Sequence, residues 1–137
     1  MDTGKTTAVA LFILRVGLGV FLLLWSIDKL AVPEGTVRVF STFYRSSIST
    51  AVVPVIGVLE LLLSLLILAR LWKKWTYGLG MLLHGISTLS TYNQLLSPFG
   101  KNHLFIAAIP VLGAFIALFL MRNQDTLWIV GKRAAPR

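Results

Sequence analysis

The sequence predicts an all-α protein, a polytopic membrane four-helix bundle with its N- and C-termini cytoplasmic. Three observations lead there. Hydrophobic residues make up 56% of the 137 and charged residues 13%; the mean hydropathy is +0.82, well outside the composition of soluble domains. Four segments, 7–29, 52–70, 75–95 and 104–121, are mostly apolar and approach the roughly 20 residues that a helix needs to cross the hydrocarbon core. A single domain of this size has too little polar surface to cover four such helices in water. Positive charges, finally, gather at the segment ends. With a cytoplasmic N-terminus, Lys5, Arg70, Lys73, Lys74, Arg122, Lys132, Arg133 and Arg137 fall inside, against Lys29, Arg38, Arg45 and Lys101 outside, as the positive-inside rule requires.

The net charge of +8 is therefore a topology signal. No basic run is interleaved with solvent-facing aromatics, so nucleic acid is not an expected partner. The chain has no cysteine, which excludes a thiol relay, a Cys-ligated zinc site and a cysteine nucleophile. His84, His103 and Glu60 are too few and too scattered for a metal site. No Ser/His/Asp arrangement supports nucleophilic catalysis.

The whole chain, 1–137, reads as one membrane domain. Gly4-Lys5-Thr6 has the tail of a phosphate-binding loop without its upstream glycine or preceding strand, and is read as a short polar N-terminus. The first apolar run is longer than a signal-peptide core and lacks a small-residue cleavage site, so a retained helix is expected. On that helix Arg15, Gly19, Leu22, Ser26 and Lys29 form one stripe. Pro33 and Gly35 end it. Val37, Phe40, Phe43 and Tyr44, alternating with Arg38, Ser41 and Arg45, then predict a short amphipathic helix in the outer loop between helices one and two.

Helix two opens near Pro54 and carries Glu60 on a face with Gly57 and Ser64. The turn Arg70–Lys74, with Trp72 and Trp75, suits a cytoplasmic headgroup zone. Helix three presents a hydroxyl-rich stripe through Tyr77, Gly80, His84, Ser87 or Thr88, Thr91 and Tyr92. Helix four holds Pro110 and the small pair Gly113 and Ala117. The tail, 122–137, is basic with an apolar patch at Leu127–Val130, and is expected on the anionic cytoplasmic leaflet.

Counting ~1.5 Å per residue from the cytoplasmic edge puts Arg15 at roughly 11 Å and both Glu60 and His84 at ~14 Å. Three ionisable residues on three helices thus fall at one level. A charge at the bilayer centre costs about 2.5–3.5 kcal/mol on insertion scales, so Arg15 is expected to pair with Glu60, with His84 bonded to the carboxylate. Such a layer is either a latch that fixes helix register or the floor of a ligand pocket. The stripe through Thr88 and Tyr92 toward Lys29 offers a polar route from it to the outer surface. Candidate ligand-binding residues are Arg15, Lys29, Glu60, His84, Thr88 and Tyr92; no catalytic residue is assigned.

Leu14-Arg15-Val16-Gly17-Leu18-Gly19, Asp28-Lys29-Leu30, Gly57-Val58-Leu59-Glu60 and Lys101-Asn102-His103-Leu104 through Leu112-Gly113-Ala114 together resemble the DoxX-like family of small four-helix membrane proteins. The resemblance covers residues 8–121. It implies a bacterial or archaeal plasma (inner) membrane protein, a subunit of a redox system, with a quinone as the cofactor it contacts. Arg15, Lys29 and Glu60 match the family's recurring polar positions. Here Ser26, Ile27 and Asp28 stand where the family usually has a glycine before the Lys-Leu pair.

Three function classes follow. One is the quinone-interacting redox subunit. Another is a non-catalytic assembly or scaffold subunit of a larger membrane complex. The last is a small-solute or proton carrier, which needs a homo-oligomer because four helices enclose little volume. Lipid bilayer and other membrane or redox subunits are the expected partners.

Overall fold

The computed structural model describes residues 2–129. Every regular element in them is helical: α1 (Thr3–Ala31), α2 (Pro33–Phe43), α3 (Val53–Leu68), α4 (Lys73–Ser90), α5 (Tyr92–Leu96), a 3₁₀ helix (Gly100–Ala107) and α6 (Ala108–Leu120). Residues 130–137, the end of the basic tail, lie outside the described part.

Among the described residues, two stretches are long and apolar enough to cross a membrane: Thr3–Ala31, of 29 residues, and Gly100–Leu120, of 21, each holding an 18-residue window of mean hydropathy 2.4. Val53–Leu68 is apolar but shorter, rising about 24 Å over its length. Exposed large apolar side chains far outnumber buried ones; Leu59, Leu89, Leu104, Ile109 and Leu120 are among them. A water-soluble monomer rarely leaves so many large apolar side chains uncovered.

The helices pack chiefly as two pairs, α1 on α3 and α4 on α6. Glycines permit the close approach in each. A Cβ on Gly19 would lie 2.5 Å from Leu68 Cδ2, and one on Gly80 would lie 2.9 Å from Phe115 Cε1. Between the pairs, Leu11, Leu18, Leu22, Leu63, Ile67, Tyr77, Phe115 and Leu118 form the core.

Two expected helices are interrupted. The segment expected over 75–95 breaks at Thr91, whose backbone leaves helical geometry. Hydroxyls crowd that stretch: Thr88 Oγ1 donates to His84 O, Ser90 Oγ to Ser87 O and Thr91 Oγ1 to Thr88 O. Such back-bonding competes with the helix ladder. The segment expected over 104–121 enters as a 3₁₀ turn and becomes α-helical at Ala108. Pro110 sits in the first turn of α6, where its missing N–H leaves no gap in the ladder.

The short amphipathic helix is present as α2, with Pro33 at its start. It does more than follow the loop: Phe43 meets Phe105 of the 3₁₀ helix edge-to-face, centroids 5.6 Å apart. α2 therefore links the α1–α3 side of the bundle to the segment entering α6.

Candidate functional site

The ionisable residues form two separate centres, and the first lies where α3 ends. Leu71 N–H donates to Leu66 O and Arg70 N–H to Ile67 O, the paired bonds of a Schellman cap. Its left-handed position, usually glycine, is held by Arg70 at φ 58°, a conformation that costs a side-chain-bearing residue about 1–2 kcal/mol. This cap leaves Leu68 O without a helical partner. Arg15 Nη1 donates to it at 2.5 Å.

The rest of the Arg15 guanidinium meets the segment after α6. Nη2 donates to Leu127 O at 2.7 Å, and Nε faces Asp125 Oδ2 at 3.1 Å. The same Oδ2 accepts from Tyr77 Oη at 2.5 Å and stands 3.8 Å from Arg70 Nε. Arg15, Tyr77 and Asp125 are fully buried. Phe12 closes one side, stacked on Trp128 and beneath the Arg15 guanidinium.

Arg15 thus pairs with Asp125 and not with Glu60, which corrects the expected Arg15–Glu60–His84 layer. Depth is the physical reason. Arg15 bonds the last turn of α3, whereas Glu60 lies eight residues earlier, about 12 Å up that helix. The first part of the tail folds back along α1 over 125–128.

Glu60 belongs to the second centre. Its Oε2 accepts from Lys29 Nζ at 2.7 Å, both side chains being mostly buried. Lys29 also lies over the Trp25 ring, 5.5 Å from its centroid. Gly57 brings α3 close to Lys29 and Leu30, one turn from Glu60. This pair joins α1 to α3.

His84 is in neither centre. Its Nε2 is 3.1 Å from Ala108 O, and since a carbonyl only accepts, Nε2 carries the proton; in the neutral ring Nδ1 remains an acceptor. The ring is edge-on to Phe21 and stacked on Phe115. Of the remaining candidates, Thr88 bonds its own helix, and Tyr92 is exposed at the start of α5. Of the stripe, Thr88 and Thr91 bond backbone carbonyls of α4, while Tyr77 and His84 bond other segments.

Asp125, Arg70 and Tyr77 are the partners that sequence reasoning did not connect. One signal was present: Asp125 is the only Asp or Glu after Glu60, in a chain with five acids against 13 cations. Among the described residues no group of three His, Cys, Asp or Glu is placed to hold a metal.

Two concavities are open at the surface. One, of about 380 Å³, is lined by Thr3, Gly4, Thr7, Gln124 and Thr126; the other, of about 390 Å³, by Phe21, Leu24, Trp25 and Asp28. Compared with protein-family models, curated proteins and solved structures, the chain matches none of them.

Proposed function

We propose that the chain is an integral membrane protein of DoxX-like kind, crossing the bilayer four times with both ends cytoplasmic, and that it acts as a non-catalytic subunit. The observation that carries the reading is that its buried charges are engaged within the chain. Arg15 and Arg70 face Asp125, and Lys29 faces Glu60. Such groups hold helices in register, while the apolar outer faces meet lipid and neighbouring subunits. The distribution of Lys and Arg and the exposed apolar helix faces support the membrane placement; the resemblance to the DoxX-like family is what points to a bacterial or archaeal plasma membrane.

Extraction tests this directly. The chain should stay with membranes through alkaline carbonate, leave them in mild detergent, and co-purify with a larger complex. Recovery as a solitary, detergent-free monomer removes the reading. Absence of any partner after crosslinked mild extraction removes the subunit role alone.

One observation favours a second reading, the quinone-contacting redox subunit. The groove of Phe21, Leu24, Trp25 and Asp28 is apolar and aromatic at one end and polar at the other, with His84 packed behind Phe21. Its volume suits a small ring. If this reading holds, purified protein retains a quinone, and Trp25→Ala or His84→Ala loses it.

A further inference from the structure

The Arg15 centre has more donors than its carboxylate uses. One oxygen, Asp125 Oδ2, faces Arg15 Nε, Arg70 Nε and Tyr77 Oη, while Asp125 Oδ1 is buried with no hydrogen-bond partner among the described residues. Arg70 Nε, at 3.8 Å, is beyond hydrogen-bond reach. Two guanidiniums share one carboxylate, so the centre carries an excess positive charge. Guanidinium groups match the several oxygens of a phosphate better than one oxygen of a carboxylate.

The segment that supplies Asp125 is built to be separable. It follows the turn after α6 without regular helix, and its contacts with α1 include the Asp125–Arg15 ion pair, the carbonyls of Leu127 and Trp128, and the Phe12–Trp128 stack. Trp128 holds left-handed backbone (φ 50°), a conformation that costs a side-chain-bearing residue about 1–2 kcal/mol and that detachment of this segment would release. Around the same bundle end, Lys73 and Lys74 lie with exposed Trp72 and Trp75, a composition suited to anionic headgroups.

We propose that Arg15, Arg70 and Tyr77 form a binding site for the phosphate of an anionic lipid headgroup, and that Asp125 occupies this site from within the chain until such a lipid displaces it. The exchange keeps both arginines paired, so no buried charge is left bare. The strap over 125–128 then detaches from α1. The site rests on the membrane placement proposed above.

The chain has no cysteine, so spin labels at Thr3→Cys and Thr126→Cys report the strap alone; both positions line one cleft. In nanodiscs of neutral phosphatidylcholine the labels should broaden each other's spectrum. Replacing phosphatidylcholine by phosphatidylglycerol should remove the broadening. Asp125→Asn should shift that titration to about fivefold less anionic lipid, the effect of one charge near the surface. Broadening that persists at every phosphatidylglycerol content, in the labelled chain that retains Asp125 and is inserted in the disc, overturns the proposal, as does equal narrowing by sodium chloride alone. Narrowing by inorganic phosphate in neutral discs assigns the site to a soluble phosphate and overturns the lipid. Failure of the chain to enter nanodiscs at all refutes the membrane placement instead.

Discussion

Substituting Arg15 and Asp125 singly and together measures what holds the strap to the bundle. Asp125→Ala leaves the Arg15 guanidinium buried with three carbonyl acceptors and no counter-charge, and leaves Tyr77 Oη without its acceptor. Breaking a buried pair from one side costs about 3–5 kcal/mol. Arg15→Met leaves Asp125 facing Arg70 at 3.8 Å, and removes the donor from Leu68 O and Leu127 O; its cost falls in the same range of about 3–5 kcal/mol.

The double substitution Arg15→Met/Asp125→Leu removes both charges. Arg70, already partly exposed at the turn, can turn outward to water or headgroups. What then remains unmet is Tyr77 Oη and the three carbonyls that Arg15 served, with no buried charge among them. The double variant should therefore cost no more than either single one, a coupling of about 3 kcal/mol. Equilibrium unfolding by dodecyl sulfate in mixed micelles, followed by far-UV circular dichroism, gives all three values. Losses that add to within about 0.5 kcal/mol would show that Arg15 and Asp125 act independently, and the latch would be refuted.

Three other outcomes follow from the packing. Gly80→Leu drives a side chain into Phe115 and Ile67 and should cost about 1–3 kcal/mol, whereas the Cβ of Gly113→Ala meets nothing within 4 Å and this change should stay within about 0.5 kcal/mol in the same unfolding assay. Lys29→Met should cost about 1 kcal/mol, less than either change in the Arg15 centre, because this pair retains some exposure and Glu60 can be reached by water. His84→Ala removes one hydrogen bond and the rings' contacts with Phe21 and Phe115; about 2 kcal/mol should appear as a lower thermal midpoint in detergent.

Helix positions were legible because apolar run length and punctuation by Pro33, Pro54 and the Arg70–Lys74 turn act locally. The breaks at Thr91 and Ala108 were less so. They arise where several weak local terms, hydroxyl back-bonding and a proline, act against an apolar pattern that continues unbroken. Glu60 and Lys29 were both recognised as polar exceptions on apolar helices. Their pairing was missed because Arg15, the stronger cation, had been placed at the level of Glu60.

That misplacement had one source, the zero of the depth count. The count began α1 at the edge of its apolar run, near Ala8, as though each apolar run began and ended level with its neighbours. α1 instead starts at Thr3 and continues to Ala31. Arg15–Ala31 rises about 24 Å, matching the length of α3, and Thr3–Leu14 extends past the end of α3. Nothing on α3 is available to pack against those first turns, so the polypeptide after α6 does, with Phe12 on Trp128 and Arg15 on Asp125. The mismatch in helix length thus accounts both for the buried arginine standing at a helix end and for its partner coming from the tail. An arginine in an apolar helix should accordingly be matched against the acids of the loops and tails that the helix lengths bring to its level, as well as against those on neighbouring helices.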